Sequence, residues 1–153
     1  MRFPTTALIF AIVSLAALGL ATAHASLDAT DPFDGAVLDV APSTVTLEFS
    51  ENVEVGFSVF AVHRLAEQLD LSDEQVQQRI AGLAAPQVKG WLDSPTTGEG
   101  LVTLTSEPAS GAASRVELRF AEELTAGHYV VVWRVLSADT HPVEGFFTFT
   151  VAP

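Results

Sequence analysis

Short segments in which apolar and polar residues alternate dominate this chain. Because successive side chains of a β-strand point to opposite faces, strict alternation predicts strands with one face in a core and one in water. Other segments are rich in β-branched and aromatic residues, which also favour strands. Together these segments are residues 45–49, 53–62, 101–105, 116–120, 128–136 and 145–151.

Turn signals separate the predicted strands. The clearest are Asp31-Pro32, Asp34-Gly35, Ala41-Pro42-Ser43 and Thr125-Ala126-Gly127. About seven short strands with turns between them, and no strand-helix-strand alternation, predict an all-β sandwich or barrel. Tyr129 and Trp133 are expected to lie in its core, whereas Arg134 would either neutralise Asp139 or cover a sheet face.

Residues 64–83 interrupt the strand pattern. Ser72 followed by Gln75 resembles a capping box, and Val76, Ile80 and Leu83 recur at helical spacing. We therefore expect one short amphipathic helix beginning near Ser72 and capping an end of the β-domain. Residues 86–100 contain two Pro and three Gly, which predicts a loop with at most one short strand.

The N-terminus has the layout of a secretory signal peptide. Arg2 precedes an uncharged apolar run at residues 7–21, and Ala21 and Ala23 offer a cleavage site. A membrane anchor is disfavoured because the run is shorter than the roughly 20 residues that a bilayer requires. Cleavage after Ala23 would make His24 the first residue, and this is the preferred site, but cleavage before Ser26 would remove His24. We expect residues 1–23 to be the signal peptide and residues 24–153 one exported domain.

Composition limits the partners and the metal chemistry. The chain carries a formal net charge of −12, and loss of Arg2 with the signal peptide makes it more negative, which argues against nucleic acid and anionic membrane surfaces as partners. There is no Cys, and the single Met is Met1. A metal site would consist of His, carboxylate and amine ligands, which suit Cu(II), Ni(II) or Zn(II) better than Cu(I).

Two of the four histidines are candidate metal ligands. His141 follows Asp139 at a spacing that, in extended chain, points both side chains to one side, and Pro142 favours that extended geometry. His24, if it is the first residue, offers an α-amine and an imidazole that can chelate one ion. These groups would supply three nitrogens and one oxygen, which fits the tetragonal preference of Cu(II). His63 and His128 are expected to be surface or satisfied core residues.

Several motifs, in order, resemble the CopC-like copper-resistance family. They include His24-Ala25, Asp31-Pro32-x-Asp34-Gly35, Phe49-Ser50-Glu51-Asn52, Trp133-Arg134-Val135-x-Ser137-Ala138-Asp139-x-His141-Pro142-Val143-x-Gly145 and a closing Phe-Thr-Phe strand. The resemblance implies an immunoglobulin-like Greek-key β-sandwich in the periplasm. It also implies one Cu(II) per chain, bound by His24, Asp139 and His141. It further implies a metal-binding role in copper resistance or homeostasis, with an inner-membrane copper transporter of the CopD kind as the expected partner.

Parts of the chain depart from this resemblance or leave alternatives open. The absence of Met after the signal peptide indicates a Cu(II)-only type, and residues from about 63 to 107, with the predicted helix, form an insertion of unknown role. Glu51 either accepts a hydrogen bond from a ligating imidazole or is a solvated acid on an edge strand.

Two other functions compete with metal binding. A copper-dependent oxidative enzyme would use an N-terminal histidine brace, but Asp139 would then occupy a position that an oxygen-activating site keeps open. A metal-free, immunoglobulin-like structural module would be favoured by cleavage before Ser26, because that removes half of the ligands.

Overall fold

The computed structural model describes residues 25–105 and 111–153, which form a β-sandwich with one helix. The predicted signal peptide and His24 lie outside the described residues. In chain order the elements are β1 (Leu27–Asp31), β2 (Ala36–Leu38), β3 (Thr44–Glu54), a 3-10 turn (Val55–Phe57), β4 (Val59–Arg64), α1 (Val76–Asp93), β5 (Ala112–Arg119), β6 (Gly127–Leu136) and β7 (Pro142–Val151).

The strands form two sheets. One has the order β1-β3-β5 and the other the order β2-β7-β6-β4. All neighbours are antiparallel except β2 and β7, which run parallel. The predicted all-β sandwich is therefore confirmed. The sequence pattern missed β1 and β2, because β1 is a largely polar strand at a sheet edge and β2 has only three residues.

The main core lies between the two sheets, and the alternating segments supply it as predicted. Val45, Leu47 and Phe49 of β3 are buried, while the intervening Glu48 is half-buried. The facing sheet contributes Tyr129, Val131, Trp133, Phe147 and Phe149 to the same cluster. The expectation that Tyr129 and Trp133 serve the core is confirmed, and the Tyr129 hydroxyl donates a hydrogen bond to the carbonyl of Thr125 at 2.7 Å.

A second apolar cluster lies on the outer face of the four-stranded sheet, beneath α1. It joins sheet residues such as Ala61, Val130 and Val132 to helix residues such as Ile80 and Trp91. β6 is consequently buried on both faces. This double burial explains its uninterrupted apolar run, which a strand with one face in water would not have.

The helix differs from its prediction in both extent and capping. It begins at Val76 and continues through Pro86 to Asp93 over 18 residues, so the predicted loop at residues 86–93 is wrong. Pro86 removes one helical hydrogen bond, and helices as a rule gain most of their stability from packing an apolar face. Here Trp91 and Leu92 prolong the buried stripe of the helix.

The predicted capping box at the start of α1 is not formed. The Ser72 hydroxyl donates a hydrogen bond to the Asp70 carboxylate, and the backbone N–H of Gln75 donates to the Asp73 carboxylate. Two aspartates therefore order this turn. Within residues 25–105 and 111–153, no helix has the length and apolarity needed to cross a membrane.

Residues 101–105 do not form the predicted strand. Leu101 makes an isolated bridge to His63 of β4, and Leu104 makes one to Phe120 beyond β5. The segment therefore crosses from the edge of one sheet to the edge of the other. Since it pairs only briefly with each edge, its alternating pattern reflects partial burial in the crossing and not a regular strand.

Candidate metal site

The loop between β6 and β7 brings Asp139 and His141 together. The N–H of Ser137 donates to the carbonyl of His141 at 3.1 Å, and the N–H of Thr140 donates to the carbonyl of Ser137 at 2.9 Å. Thr140 has a φ of 67°, in the left-handed region. The two side chains do lie together, but a tight turn brings them there and not the extended chain that the spacing suggested. That they hold an ion stays a prediction.

The two side chains bring a nitrogen and an oxygen into direct contact. Nδ1 of His141 lies 3.0 Å from Oδ2 of Asp139. Two ligands at about 2.0–2.1 Å from one ion and near a right angle to each other are about 2.9 Å apart. The His141 side chain is 64% exposed and the Asp139 side chain 31% exposed, so an ion can reach both from solvent.

Ser137 controls the charge and position of Asp139. Its hydroxyl lies within hydrogen-bond distance of the Asp139 carboxylate and of the carbonyl of His141, at 2.8 Å from the latter. The Ser137 hydroxyl, followed by the His141 ring, lowers the pKa of Asp139 to about 2. Asp139 is therefore an anion at neutral pH, as a ligand must be. Ser137 was not predicted from the sequence, although a Ser two residues before the candidate Asp is a signal for such a bond.

The start of the described chain lies at the same end of the sandwich. The N–H of Ser26 donates to the Ser50 hydroxyl at 2.9 Å, and the N–H of Ser50 donates to the carbonyl of Ser26 at 2.8 Å. Three residues further along β3, Val53 bridges to Ser137. β3 thus links the chain at Ser26 to the loop that holds Asp139.

Glu51 lies on β3 between these two links. Its Oε1 atom is buried and has no hydrogen-bond partner among the residues that the structure describes. A buried acceptor without a donor is costly, and such atoms in folded proteins usually have a partner. The N–H of a metal-bound imidazole would supply that donor. The role of Glu51 stays a prediction.

The described residues alone do not complete a metal site. In residues 25–105 and 111–153, no three His, Cys, Asp or Glu side chains are grouped closely enough to hold an ion. His24, the third expected ligand, lies outside those ranges. Arg134 does not neutralise Asp139, because it bonds to Glu144 at 2.9 Å and to Asp93 at 3.2 Å.

His63 is buried against Trp91 of α1, and His128 is buried against Leu69 in the segment that precedes the helix. The expectation of a satisfied core residue is confirmed for His128, whose two ring nitrogens both have partners at 2.9–3.0 Å. It is only half right for His63, whose Nε2 is buried without a hydrogen-bond partner among the described residues.

Comparison with known proteins agrees with this architecture. The model of the CopC domain family matches residues 27–96 and 92–152. Copper resistance protein C of Pseudomonas syringae pv. tomato is 31% identical over 132 residues, which cover 86% of this chain and 83% of that protein.

Two solved structures share the fold. CopC from Methylosinus trichosporium OB3b has a TM-score of 0.56 and 26% identity, covering 85% of this chain and 95% of that one. PcoC from Escherichia coli, described as a methionine-rich copper resistance protein, has a TM-score of 0.56 and 28% identity, covering 84% and 99%. By the family match and by these relatives, the chain belongs to the CopC family of copper resistance proteins.

Proposed function

We propose that the exported chain binds one Cu(II) ion through His24, Asp139 and His141, and sequesters it or hands it on in the periplasm. The observation that carries this proposal is the 3.0 Å separation between His141 Nδ1 and Asp139 Oδ2 at an exposed turn. A nitrogen and an anionic oxygen at that spacing are suited to adjacent positions around one ion.

The available donor types select the oxidation state. The mature domain contains neither Cys nor Met, so soft sulfur ligands for Cu(I) are absent from its sequence. Imidazole, amine and carboxylate suit Cu(II). In this respect the chain differs from PcoC, whose description as methionine-rich indicates a supply of thioether groups.

Chain geometry supports His24 as the remaining ligand. Ser26 is hydrogen-bonded to Ser50, and two residues span at most about 7 Å. An amine and an imidazole at position 24 are thus within reach of the end of the sandwich that carries Ser137 and Asp139. The buried oxygen of Glu51 lies between these two points on β3 and is available to an imidazole N–H.

The same ligand set favours binding over catalysis. The His24 amine, two imidazoles and the Asp139 carboxylate would fill the four strong positions of a tetragonal ion and leave none for oxygen. We therefore propose a role in copper resistance or homeostasis, with an inner-membrane transporter of the CopD kind as the recipient of the ion.

The N-terminus provides the sharpest test. The exported protein, beginning at His24, should bind one equivalent of Cu(II) with a nitrogen-rich tetragonal spin-resonance signal. A chain in which Met precedes His24 should fold equally well but bind at least 10–100-fold more weakly, because the amine has moved out of the chelate ring. Competition against a chelator measures this ratio, and thermal unfolding serves as the control for folding.

Two results would overturn the proposal. One is equal affinity in the two proteins with unchanged unfolding, which would place the ion elsewhere. The other is an exported protein whose mass shows that it begins at Ser26, because the amine and imidazole of His24 would then be missing.

A further inference from the structure

Two buried histidines lie at the contact between the four-stranded sheet and the segment that covers its outer face. This covering layer, residues 65–105, follows β4 in the chain, contains α1 and leads toward β5. His63 of β4 is 0% exposed and His128 of β6 is 1% exposed. Both side chains share the parity of Ala61, Val130 and Val132, which pack against α1.

The hydrogen bonds of His128 require a neutral ring. Its Nε2 accepts a hydrogen bond from the N–H of Leu69 at 3.0 Å, so the ring proton is on Nδ1, which donates to Thr150 Oγ1 at 2.9 Å. A second proton, on Nε2, would point at the N–H of Leu69, and two donors cannot form a hydrogen bond with each other. Since Leu69 belongs to the covering layer, protonation breaks a bond that holds the layer to the sheet.

His63 holds the far end of the same layer. Its ring stacks on Trp91 of α1 with centroids 4.4 Å apart and planes 11° from parallel. Nδ1 lies 3.2 Å from the carbonyl of Glu99, and Nε2 is buried without a partner among the described residues. Nδ1 is thus the protonated nitrogen of the neutral ring, and a proton on Nε2 would be buried without an acceptor.

The surrounding charges do not favour a cationic ring. Burial lowers the pKa of His128, and the positive charge of Arg64 lowers it further. Arg64, on β4, donates to the carbonyl of Ala126 at 2.7 Å. Burial also lowers the pKa of His63. On β7 the residue that faces the ring of His128 is the uncharged Thr150. The charged groups of the covering layer that are exposed are Glu67, Asp70, Glu74, Arg79, Lys89, Asp93 and Glu99.

None of the carboxylates in the described residues pairs with either ring. Asp73 pairs with Arg79, and Asp93 pairs with Lys89 and Arg134. Asp70 accepts hydrogen bonds from Ser72. A proton gained by His63 or His128 in the closed layer would therefore have no counter-charge in contact with it.

We propose that residues 65–105 are an acid-released cover, which detaches from the outer face of the four-stranded sheet when His128 and His63 are protonated. Release would expose the apolar face formed by Ala61, Val130 and Val132. Because the two rings lie apart from Asp139 and His141, the proposal does not depend on copper binding.

The direction with pH follows from the neutral closed form. Each ring has a lower pKa in the closed layer than the ordinary value of about 6.5 that it regains on release. Closure is therefore fully favoured above about pH 6.5 and is lost as the pH falls through the lowered pKa. Each histidine changes the equilibrium between closed and released forms by at most about tenfold per pH unit.

Hydrogen exchange of the copper-free exported chain tests the proposal. The exchange rates observed at pH 7.5 and 5.0 are compared with the intrinsic exchange rate of each peptide at the same pH, which gives its protection. We expect protection of residues 65–93 to fall by about 10–100-fold at pH 5.0, while β3 in the other sheet stays protected. His128→Gln and His63→Gln should each reduce this pH dependence, and the double variant should abolish it. His141→Gln, which changes an exposed histidine outside the layer, should retain it.

Three results of the exchange experiment would overturn the proposal of an acid-released cover. They are equal protection of residues 65–93 at both pH values, loss of protection in β3 together with the layer, and an unchanged pH dependence in the double variant. If the Gln variants lose the layer at every pH, ring titration of the unaltered protein by NMR decides. Titration of His128 below pH 6.5 together with the loss of Leu69 N–H protection supports release, and an ordinary pKa refutes it.

Discussion

Gly145 on β7 lies directly against the indole of Trp133, its register partner on β6. A Cβ at position 145 would be 2.5 Å from Cζ2 of that ring, closer than any ordinary contact. The indole in turn packs against Phe49 and Phe147, with ring centroids 6.5 and 6.2 Å away. The glycine therefore makes room for the largest aromatic ring in the core between the sheets.

Replacing Gly145 with Ala should destabilise the domain. The added methyl group forces Trp133 out of its packed position, and overpacking of this kind costs about 1–3 kcal/mol. Urea unfolding of the copper-free protein measures the change. Gly90→Ala is the matched control, because nothing lies within 4 Å of a Cβ at that helical position. It should be neutral or stabilise by up to about 1 kcal/mol. Equal stability of the two variants would show that the indole accommodates the methyl group.

Ser137→Ala should weaken Cu(II) binding without removing a ligand. Loss of the hydroxyl raises the pKa of Asp139 from about 2 toward its usual value and frees the carboxylate to leave the turn. Changes to groups that orient a ligand cost roughly 10- to 100-fold in metal affinity. Ser72→Ala is the control, because it removes the same kind of bond, from a serine hydroxyl to an aspartate two residues away. If both variants bind copper as the unaltered chain does, Ser137 has no positioning role.

Asp139→Ala should weaken Cu(II) binding less than His141→Ala. Water can fill the place of the lost carboxylate, whereas loss of the imidazole removes a stronger nitrogen donor. Competition titrations against a chelator give the order. Asp39→Ala removes an exposed carboxylate elsewhere and should leave the affinity unchanged. The reverse order of the two site variants would mean that their roles are misassigned.

The pH dependence of copper binding should come from the nitrogen ligands. Because the pKa of Asp139 is about 2, its carboxylate stays ionised throughout pH 4–8. Imidazole and amine groups must lose protons to bind metal, so affinity should rise with pH in this range. Asp139→Asn should lower the affinity but leave the slope of its logarithm against pH unchanged. A smaller slope in Asp139→Asn would show that the carboxylate titrates in this range.

The strands and the pairing of Asp139 with His141 could be predicted from the sequence because their signals are local. Alternation in residues 45–49 and 116–120 results directly from burial of one strand face, and the structure places β3 and β5 there. Likewise, Asp139 and His141 are only two residues apart, so a short turn suffices to bring them together. The absence of Cys and the single Met, at position 1, limit the sulfur ligands that any metal site could use, and both are read without structural knowledge.

Only the tertiary structure decided what depends on contacts between distant segments. α1 continues through Pro86 because Trp91 and Leu92 are buried against a sheet, and no local pattern outweighed the Pro and Gly signals. The bridge from Val53 to Ser137 brings β3, with the buried Glu51 oxygen, beside the turn of Asp139. Burial of His63 and His128 likewise arises from packing between layers. A single histidine in a sequence carries no local signal that tells whether its ring is buried or exposed to solvent.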